Sequence, residues 1–175
     1  IDPVDGTANS AAGVPISAFS AAIVREELVE EALITWLGTS YARSAHIDDA
    51  IVSRVSTRTT VDGASLSMLR PRPTTWTAWS ALAQRAERMR ILGSSVIEGA
   101  LVADGAIDAF CDPGGDIHRI VDLAAISLIV EKSGGHVRDL HDRPFTFDPD
   151  LSKRWSGIIA GTRELVDEIA ELIKA

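Results

Sequence analysis

From Thr75 onward the chain alternates apolar stretches of helical length with apolar runs too short to be helices, and glycines stand at several of the changes. This alternation constrains the fold more than any other feature. The segment Thr75 to Met89 is amphipathic, with Trp76, Trp79, Leu82, Ala83 and Ala86 on one side. Gly93-Ser94-Ser95 opens a helix that runs to Ala103 and is stopped by Gly105, a residue suited to the left-handed C-terminal cap. Arg119 to Ser133 reads as a strongly apolar helix ended by Gly134-Gly135, and Thr162 caps a last helix from Glu164 to Lys174. Between them, Arg90-Ile91-Leu92, Ile107 to Cys111, His136 to Leu140 and Gly157 to Ala160 are extended. Helices alternating with strands place helical layers against a sheet, which predicts an α/β layered fold.

The first part reads differently. Ile1 to Val4 ends a buried strand, and Thr7 caps a short helix through Ala12. Ile16 to Val24 forms a strand, Arg25-Glu26-Glu27 a hairpin turn, and Leu28 to Leu37 and Ser40 to Ala45 two further strands, although the Glu-rich start of the first also suits a helix. The β-branched run from Ile51 to Thr60 predicts another strand. Arg70-Pro71-Arg72-Pro73 is an extended linker, because a residue before proline avoids the helical region. The expectation is a single domain over 1–175, with a sheet-rich part at 1–70 and an alternating part at 71–175.

Composition narrows the function classes. A net charge of −8 argues against a nucleic-acid binder, which usually shows a basic face. Cys111 is the only cysteine, so no intramolecular disulfide can form, as suits a reducing compartment. No apolar run approaches the roughly 20 residues of a membrane span. A cytoplasmic protein without nucleic-acid or membrane partners is expected.

The opening residues carry the chemistry. Asp2 and Asp5 flank Pro3-Val4 and precede Gly6-Thr7. In a strand that runs into a turn, both carboxylates and the Val4 carbonyl can converge, giving the oxygen ligands that hard cations such as Mg²⁺ prefer. If Gly6-Thr7 opens a helix, its free N–H groups suit an anion. A cation next to a phosphate is the arrangement used in metal-assisted phosphate ester cleavage. Asp, Pro and Gly are equally the residues of an ordinary acidic turn, and this spacing alone leaves both readings open.

The full string Ile1-Asp2-Pro3-Val4-Asp5-Gly6-Thr7-Ala8-Asn9, with Gly13 and Pro15 beyond it, resembles the first signature of the inositol monophosphatase family. Val121-Asp122-Leu123-Ala124-Ala125 followed by Ile129-Val130-Glu131-Lys132-Ser133-Gly134-Gly135 resembles its second. Leu92-Gly93-Ser94-Ser95 and Val102 to Phe110 match the segments between them. The resemblance covers essentially the whole chain in the family's order. It implies the αβαβα sandwich of that sugar phosphatase type, and a Mg²⁺-dependent phosphomonoesterase acting on myo-inositol monophosphate or a similar sugar phosphate. Asp2, Asp5, Asp122 and the Val4 carbonyl would hold two or three Mg²⁺ ions, with Mn²⁺ as a substitute and Li⁺ as an inhibitor. Gly6 and Thr7 would donate to the phosphate, and Asp5 and Thr7 would serve the reaction. It also implies a metal-binding glutamate upstream of Ile1, so that these residues form the C-terminal two-thirds of a longer protein, and it implies a homodimer.

Within the family, Val121 stands where a tryptophan is usual, and Arg119-Ile120-Val121-Asp122 looks like the archaeal branch, whose members often hydrolyse fructose 1,6-bisphosphate as well. Gly115 occupies the substrate-side position, seven residues before Asp122, where those relatives carry an arginine. Arg90 and Ser95 flank the Gly-Ser segment as candidate substrate contacts, against plainer readings as a surface charge and a helix N-terminal residue. A non-catalytic binding paralogue is the reading from another class. His118 is expected to be a solvated loop residue, Trp76 and Trp79 to be core or dimer contacts, and Cys111 to be a buried hydrophobe.

Overall fold

The computed structural model describes residues 1–147 and 151–175. Its elements divide between two sheets. The first is an antiparallel meander of β1 (Asp2–Asp5), β2 (Ala18–Arg25), β3 (Leu28–Trp36) and β4 (Ala42–His46), in the order β1-β2-β3-β4. The five-residue helix α1 (Thr7–Ala11) leaves β1 directly. The expected hairpin turn is present. Arg25 pairs with Leu28, and the two loop residues Glu26 and Glu27 both have positive φ, 49° and 65°. That is the backbone a two-residue hairpin requires to match the twist of its strands.

The second sheet contains β5 (Ser65–Met68), β6 (Arg88–Arg90), β7 (Ala109–Cys111), β8 (His136–Asp139) and β9 (Gly157–Ala160), in the order β6-β5-β7-β9-β8. β5 runs parallel to β6 and β7, and β9 is antiparallel to both its neighbours. Helices α3 (Ser95–Ala103) and α4 (Ile120–Lys132) lie between the sheets. α4 packs on β2, β3 and β4 on one side and on β8 on the other, while α3 packs on α4, β2, β7 and β9. α5 (Arg163–Lys174) covers β8 and β9, with α2 (Trp76–Arg85) beside it. The described layers therefore run sheet, helix pair, sheet, helix pair, in agreement with the layered α/β expectation.

Two buried clusters hold this arrangement. One joins the first sheet to α3 and α4 through Ile34, Val96, Leu123, Ile126 and Ile129, with Phe110 and Ile159 from the second sheet. The other fills the space under α2 and α5 with Leu66, Met68, Leu82, Ile158, Leu165 and Ile169. α3 and α4 approach so closely at Gly99 that any Cβ there would overlap the Ile126 side chain.

Two expectations fail and one strand goes unforeseen, each for an identifiable reason. The β-branched run at 51–60 is not a strand. The Val52 and Arg54 N–H groups donate to the carbonyls of Lys132 and Ser133 at the end of α4, 3.0 Å each. The segment lies as a strap against glycines, with Gly105 so near that a Cβ would stand 2.5 Å from the Arg54 carbonyl, and Gly161 closer still to Ser56. β propensity describes fit to a pleated surface, not the presence of a partner strand. Conversely β5, in the centre of the second sheet's parallel part, has no sequence expectation behind it, because Ser65-Leu66-Ser67-Met68 is too short to show a period. Finally, α2 stops at Arg85 rather than Met89: Ala86 turns extended, and the Glu87 and Arg88 N–H groups donate to the Ala64 carbonyl as β6 begins. Trp76 is accordingly exposed, stacked on Trp79 with ring centroids 5.8 Å apart.

Candidate metal centre

The site forms at the seam between the sheets, where β1 meets the starts of α3 and α4. Crevices at strand ends are where open α/β sheets place their ligands. Asp2 and Asp5 are the first and last residues of β1, and both are buried at 7% exposure. Asp122, in the first turn of α4, is 8% exposed. Ligand oxygens from these three carboxylates all lie within 4.8 Å of one another, although Asp122 is far from the other two in sequence.

Each carboxylate is held separately. Asp5 Oδ2 accepts from the Ser94 hydroxyl and from the Val96 N–H at 3.1 Å, so the start of α3 orients it. Ser94 also caps α3 through the Ile97 N–H. Asp122 Oδ2 accepts from the Arg119 N–H at 2.7 Å, and its Oδ1 accepts from Arg119 Nη2 at 3.1 Å. Asp2 Oδ1 accepts from the Val4 N–H at 3.2 Å, while Oδ2 is buried with no hydrogen-bond partner, the Arg119 guanidinium being the nearest cation at 3.6 Å.

The electrostatics match this crowding. Burial is the main cause that pushes the Asp5 carboxyl up to about 6, with Asp122 and Asp2 adding to it against the Ser94 and Val96 hydrogen bonds. Burial, then Asp122, also raises Asp2. The hydrogen bond it donates to Asp122 holds the Arg119 guanidinium still more firmly protonated. Uncompensated buried carboxylates are costly. Three that converge, with one oxygen left without a hydrogen bond, fit a divalent cation with oxygen preference.

Next to the acids stands the Gly6-Thr7 corner. Gly6 has φ 78° and ψ 35°, and a Cβ on it would come within 2.7 Å of the Ile16 carbonyl, so only glycine makes this turn without strain. The Thr7 hydroxyl donates to the Val4 carbonyl at 2.8 Å. The first N–H groups of a helix have no partners within it, so those of α1 are available to an anion. Asn9 fastens this corner to the neighbouring loop, its amide donating to the carbonyls of Ile16 at 2.9 Å and Leu92 at 2.7 Å. From the other side the buried Glu98 accepts from the Leu92 N–H at 3.0 Å and from the Ser67 hydroxyl at 2.6 Å. Beside Asp2 a cleft of about 280 Å³ is lined by Ser20, Ala22, Ile120, Val121 and Phe147 among others.

The structure thus brings Asp2, Val4, Asp5, Gly6, Thr7 and Asp122 together. Ser95, half-buried, is the first residue of α3, but the serine that touches Asp5 is Ser94. Adjacent serines carry no signal in sequence to tell them apart. The contacts of the other two candidates lie elsewhere. Arg90 donates to the Ser65 hydroxyl, one strand over. The Gly115 N–H donates to Asp112 Oδ1 at 2.7 Å, within a turn around the buried Asp112 that also engages Ile117 and Ser156. His118 is not solvated: it is 1% exposed, its Nδ1 accepts from the Gly157 N–H at 3.2 Å, and its ring meets Phe110 edge-on. Burial depresses its basicity. Cys111 is a buried hydrophobe, its thiol pushed up by burial. Arg119 and Asn9 are the contributors that sequence reading did not single out.

Fold and acid cluster define a layered α/β protein with cation-binding geometry beside a helix-start cradle. The model of the inositol monophosphatase family matches residues 1–175, and the chain belongs to that family. It is 29% identical to the fructose-1,6-bisphosphatase/inositol-1-monophosphatase of Methanothermobacter thermautotrophicus over 99% of this chain and 66% of the relative. Among solved structures it resembles a Pyrococcus horikoshii protein described as having similarities to inositol-1 monophosphatase, with 25% identity, TM-score 0.80, and coverage of 97% of this chain and 67% of the other. It also resembles the extragenic suppressor protein SuhB of Bartonella henselae, with 24% identity, TM-score 0.83, and coverage of 98% and 67%. The chain spans about two thirds of the length of these proteins. No helix among the described residues is long and apolar enough to cross a membrane.

Proposed function

We propose that the chain carries the site of a Mg²⁺-dependent phosphomonoesterase acting on myo-inositol monophosphate or a similar sugar phosphate. The observation that supports this most is the convergence of Asp2, Asp5 and Asp122, buried and within 4.8 Å, beside the Gly6-Thr7 corner. Asp2, Asp5 and Asp122 would hold the cations, with the Val4 carbonyl as a neutral ligand. Bound Mg²⁺ supplies Lewis acidity and acidifies water at neutral pH. The chain's own contribution is placement. Ser94 and Val96 fix the Asp5 carboxylate, and Arg119 fixes Asp122. The Gly6 and Thr7 N–H groups would donate to the phosphate, where preorganised donors stabilise charge that grows during reaction. The Thr7 hydroxyl, which here donates to the Val4 carbonyl, would orient the attacking water.

Fructose-1,6-bisphosphatase activity, alone or as a second activity, is the alternative, favoured by the double name of the archaeal relative. A homodimer in the cytoplasm belongs to the same proposal. The test is phosphate release from inositol monophosphate and fructose 1,6-bisphosphate, with and without Mg²⁺. Mg²⁺-dependent release from the first supports the main reading, and release from the bisphosphate alone replaces it with the alternative. Cation binding without release from either would make the chain a binding protein.

A further inference from the structure

Arg119 contributes a permanent positive charge inside the acid cluster. We infer that its guanidinium is an internal competitor for the Asp2–Asp122 carboxylate pair, so that a divalent ion must displace it and this residue sets the cation affinity of the site. The inference rests on the cation-site reading above and extends it to a residue that the reading leaves out of the ligand set.

The geometry is specific. Both oxygens of Asp122 are engaged by Arg119, one by its backbone N–H at 2.7 Å and the other by Nη2 at 3.1 Å. The same Nη2 stands 3.6 Å from Asp2 Oδ2, a buried oxygen with no hydrogen bond. The guanidinium therefore bridges the two carboxylates that come from different layers of the molecule. Asp5, the third member, is held by Ser94 and Val96 instead and makes no ion pair with Arg119. Asp2 Oδ2 and Asp122 Oδ1, the two oxygens the guanidinium faces, belong to two of the three carboxylates that would hold a divalent ion.

Arg119 is built to give way. It is the N-cap of α4, and its backbone bond to Asp122 survives any movement of the side chain. The side chain is 44% exposed, so the guanidinium can swing into water without crossing protein. Guanidinium is weakly hydrated and always charged, which makes it a stable resident of a carboxylate pair at any physiological pH. A divalent ion carries twice the charge in a smaller radius and wins by Coulomb attraction, but only after replacing an existing contact. The expected result is a site that is partly neutralised without metal, and correspondingly less avid for it.

The experiment is calorimetric measurement of Mg²⁺ and Mn²⁺ binding to the wild-type chain and to Arg119→Gln, with inorganic phosphate binding measured alongside. Arg119→Gln should bind the divalent ions roughly three- to tenfold more tightly, the range expected for losing one partly exposed charge pair. Its apo form should melt lower than wild type, because Asp2 and Asp122 lose the counter-charge beside them. Arg119→Lys, which keeps the charge without the planar fork, should shift affinity in the same direction by less, and serves in place of the glutamine variant if that fails to fold. Unchanged or weaker cation binding in both variants overturns the inference. Unchanged cation binding with weakened phosphate binding overturns it too, and makes Arg119 an anion contact. If neither variant nor wild type binds a divalent ion, the cation-site reading itself falls, a result distinct from either.

Discussion

The two sheets of this molecule contribute to the site in different ways. The first is a meander with one face covered by α3 and α4. Its other face leaves Ile23 and Leu33 substantially exposed, above a cleft of about 660 Å³ that Ala45 and His46 also line. The second lies between two helical layers, and its strands β7 and β9 are wholly buried. Yet the more exposed sheet supplies two of the three carboxylates, and the better-buried half supplies the third together with the groups that orient them. Ser94, Val96, Arg119 and Glu98 all belong to the second half. The difference shows a division of labour: an edge strand carries two of the three carboxylates, and groups of the second half orient Asp5 and Asp122. A cation site distributed in this way forms only when both halves are docked.

The largest test of that division is Ile126→Ala. Ile126 is 0% exposed and packs where α4 meets α3. The loss should be about 2 to 5 kcal/mol, measured by denaturant unfolding. Cation binding should fail in the same denaturant range as the packing, and a cation site that outlasted the interior would break the comparison. Next comes Asp122→Asn, which should lower phosphate release by roughly a hundredfold or more, exceeding the loss typical of a residue behind the ligands. Its circular dichroism should be unchanged, since the amide oxygen can still cap α4. Retained activity would remove the second half from the ligand set.

A third test uses pH. In the folded chain Asp5 holds its proton up to about 6 and Glu98 up to about 7, whereas the unfolded carboxyls lose theirs near 4. The folded state thus binds more protons between about 4 and 7, so stability without divalent ions should fall as pH rises through that window and be lowest above it. The Asp5 share is about 3 kcal/mol. Thermal melts at pH 5 and pH 8 in chelator should show the higher midpoint at pH 5, and Asp5→Asn should shrink the gap. Saturating Mg²⁺ should raise the pH 8 midpoint selectively, through a stabilisation of about 3 kcal/mol at a hundred times its Kd. The smallest effect belongs to the open face: Leu33→Ser should change stability by less than about 0.5 kcal/mol.

How much of this was legible before folding depended on period and pairing. The helices from Ser95, Ile120 and Arg163 announced themselves through caps and apolar runs, and the hairpin at Glu26-Glu27 through the strands on either side. The acid pair on β1 was visible as spacing, and Asp122 joined it only through the family resemblance. What stayed hidden were relations that one-dimensional patterns cannot encode. Ser67 in β5 is recognisable as a strand residue only through its pairing with Arg90 and Phe110. Ser94 and Ser95 differ only in which way the helix start turns them. His118 looked like a loop residue because nothing near it in sequence reveals Phe110 and Gly157, its neighbours in space.

The strap at 51–60 has a consequence for solubility. Its residues, Ile-Val-Ser-Arg-Val-Ser-Thr-Arg-Thr-Thr, have the composition of a sticky sheet edge, the kind that recruits a strand from another molecule. Here the Val52 and Arg54 amides are already spent on the end of a helix, and side-chain-free backbone at Gly105 and Gly161 lets the strap sink close to the body. A methyl group on Gly161 would collide with the Ser56 backbone and lift that part of the strap, so a substitution remote from the acids should raise self-association, as light scattering would read it.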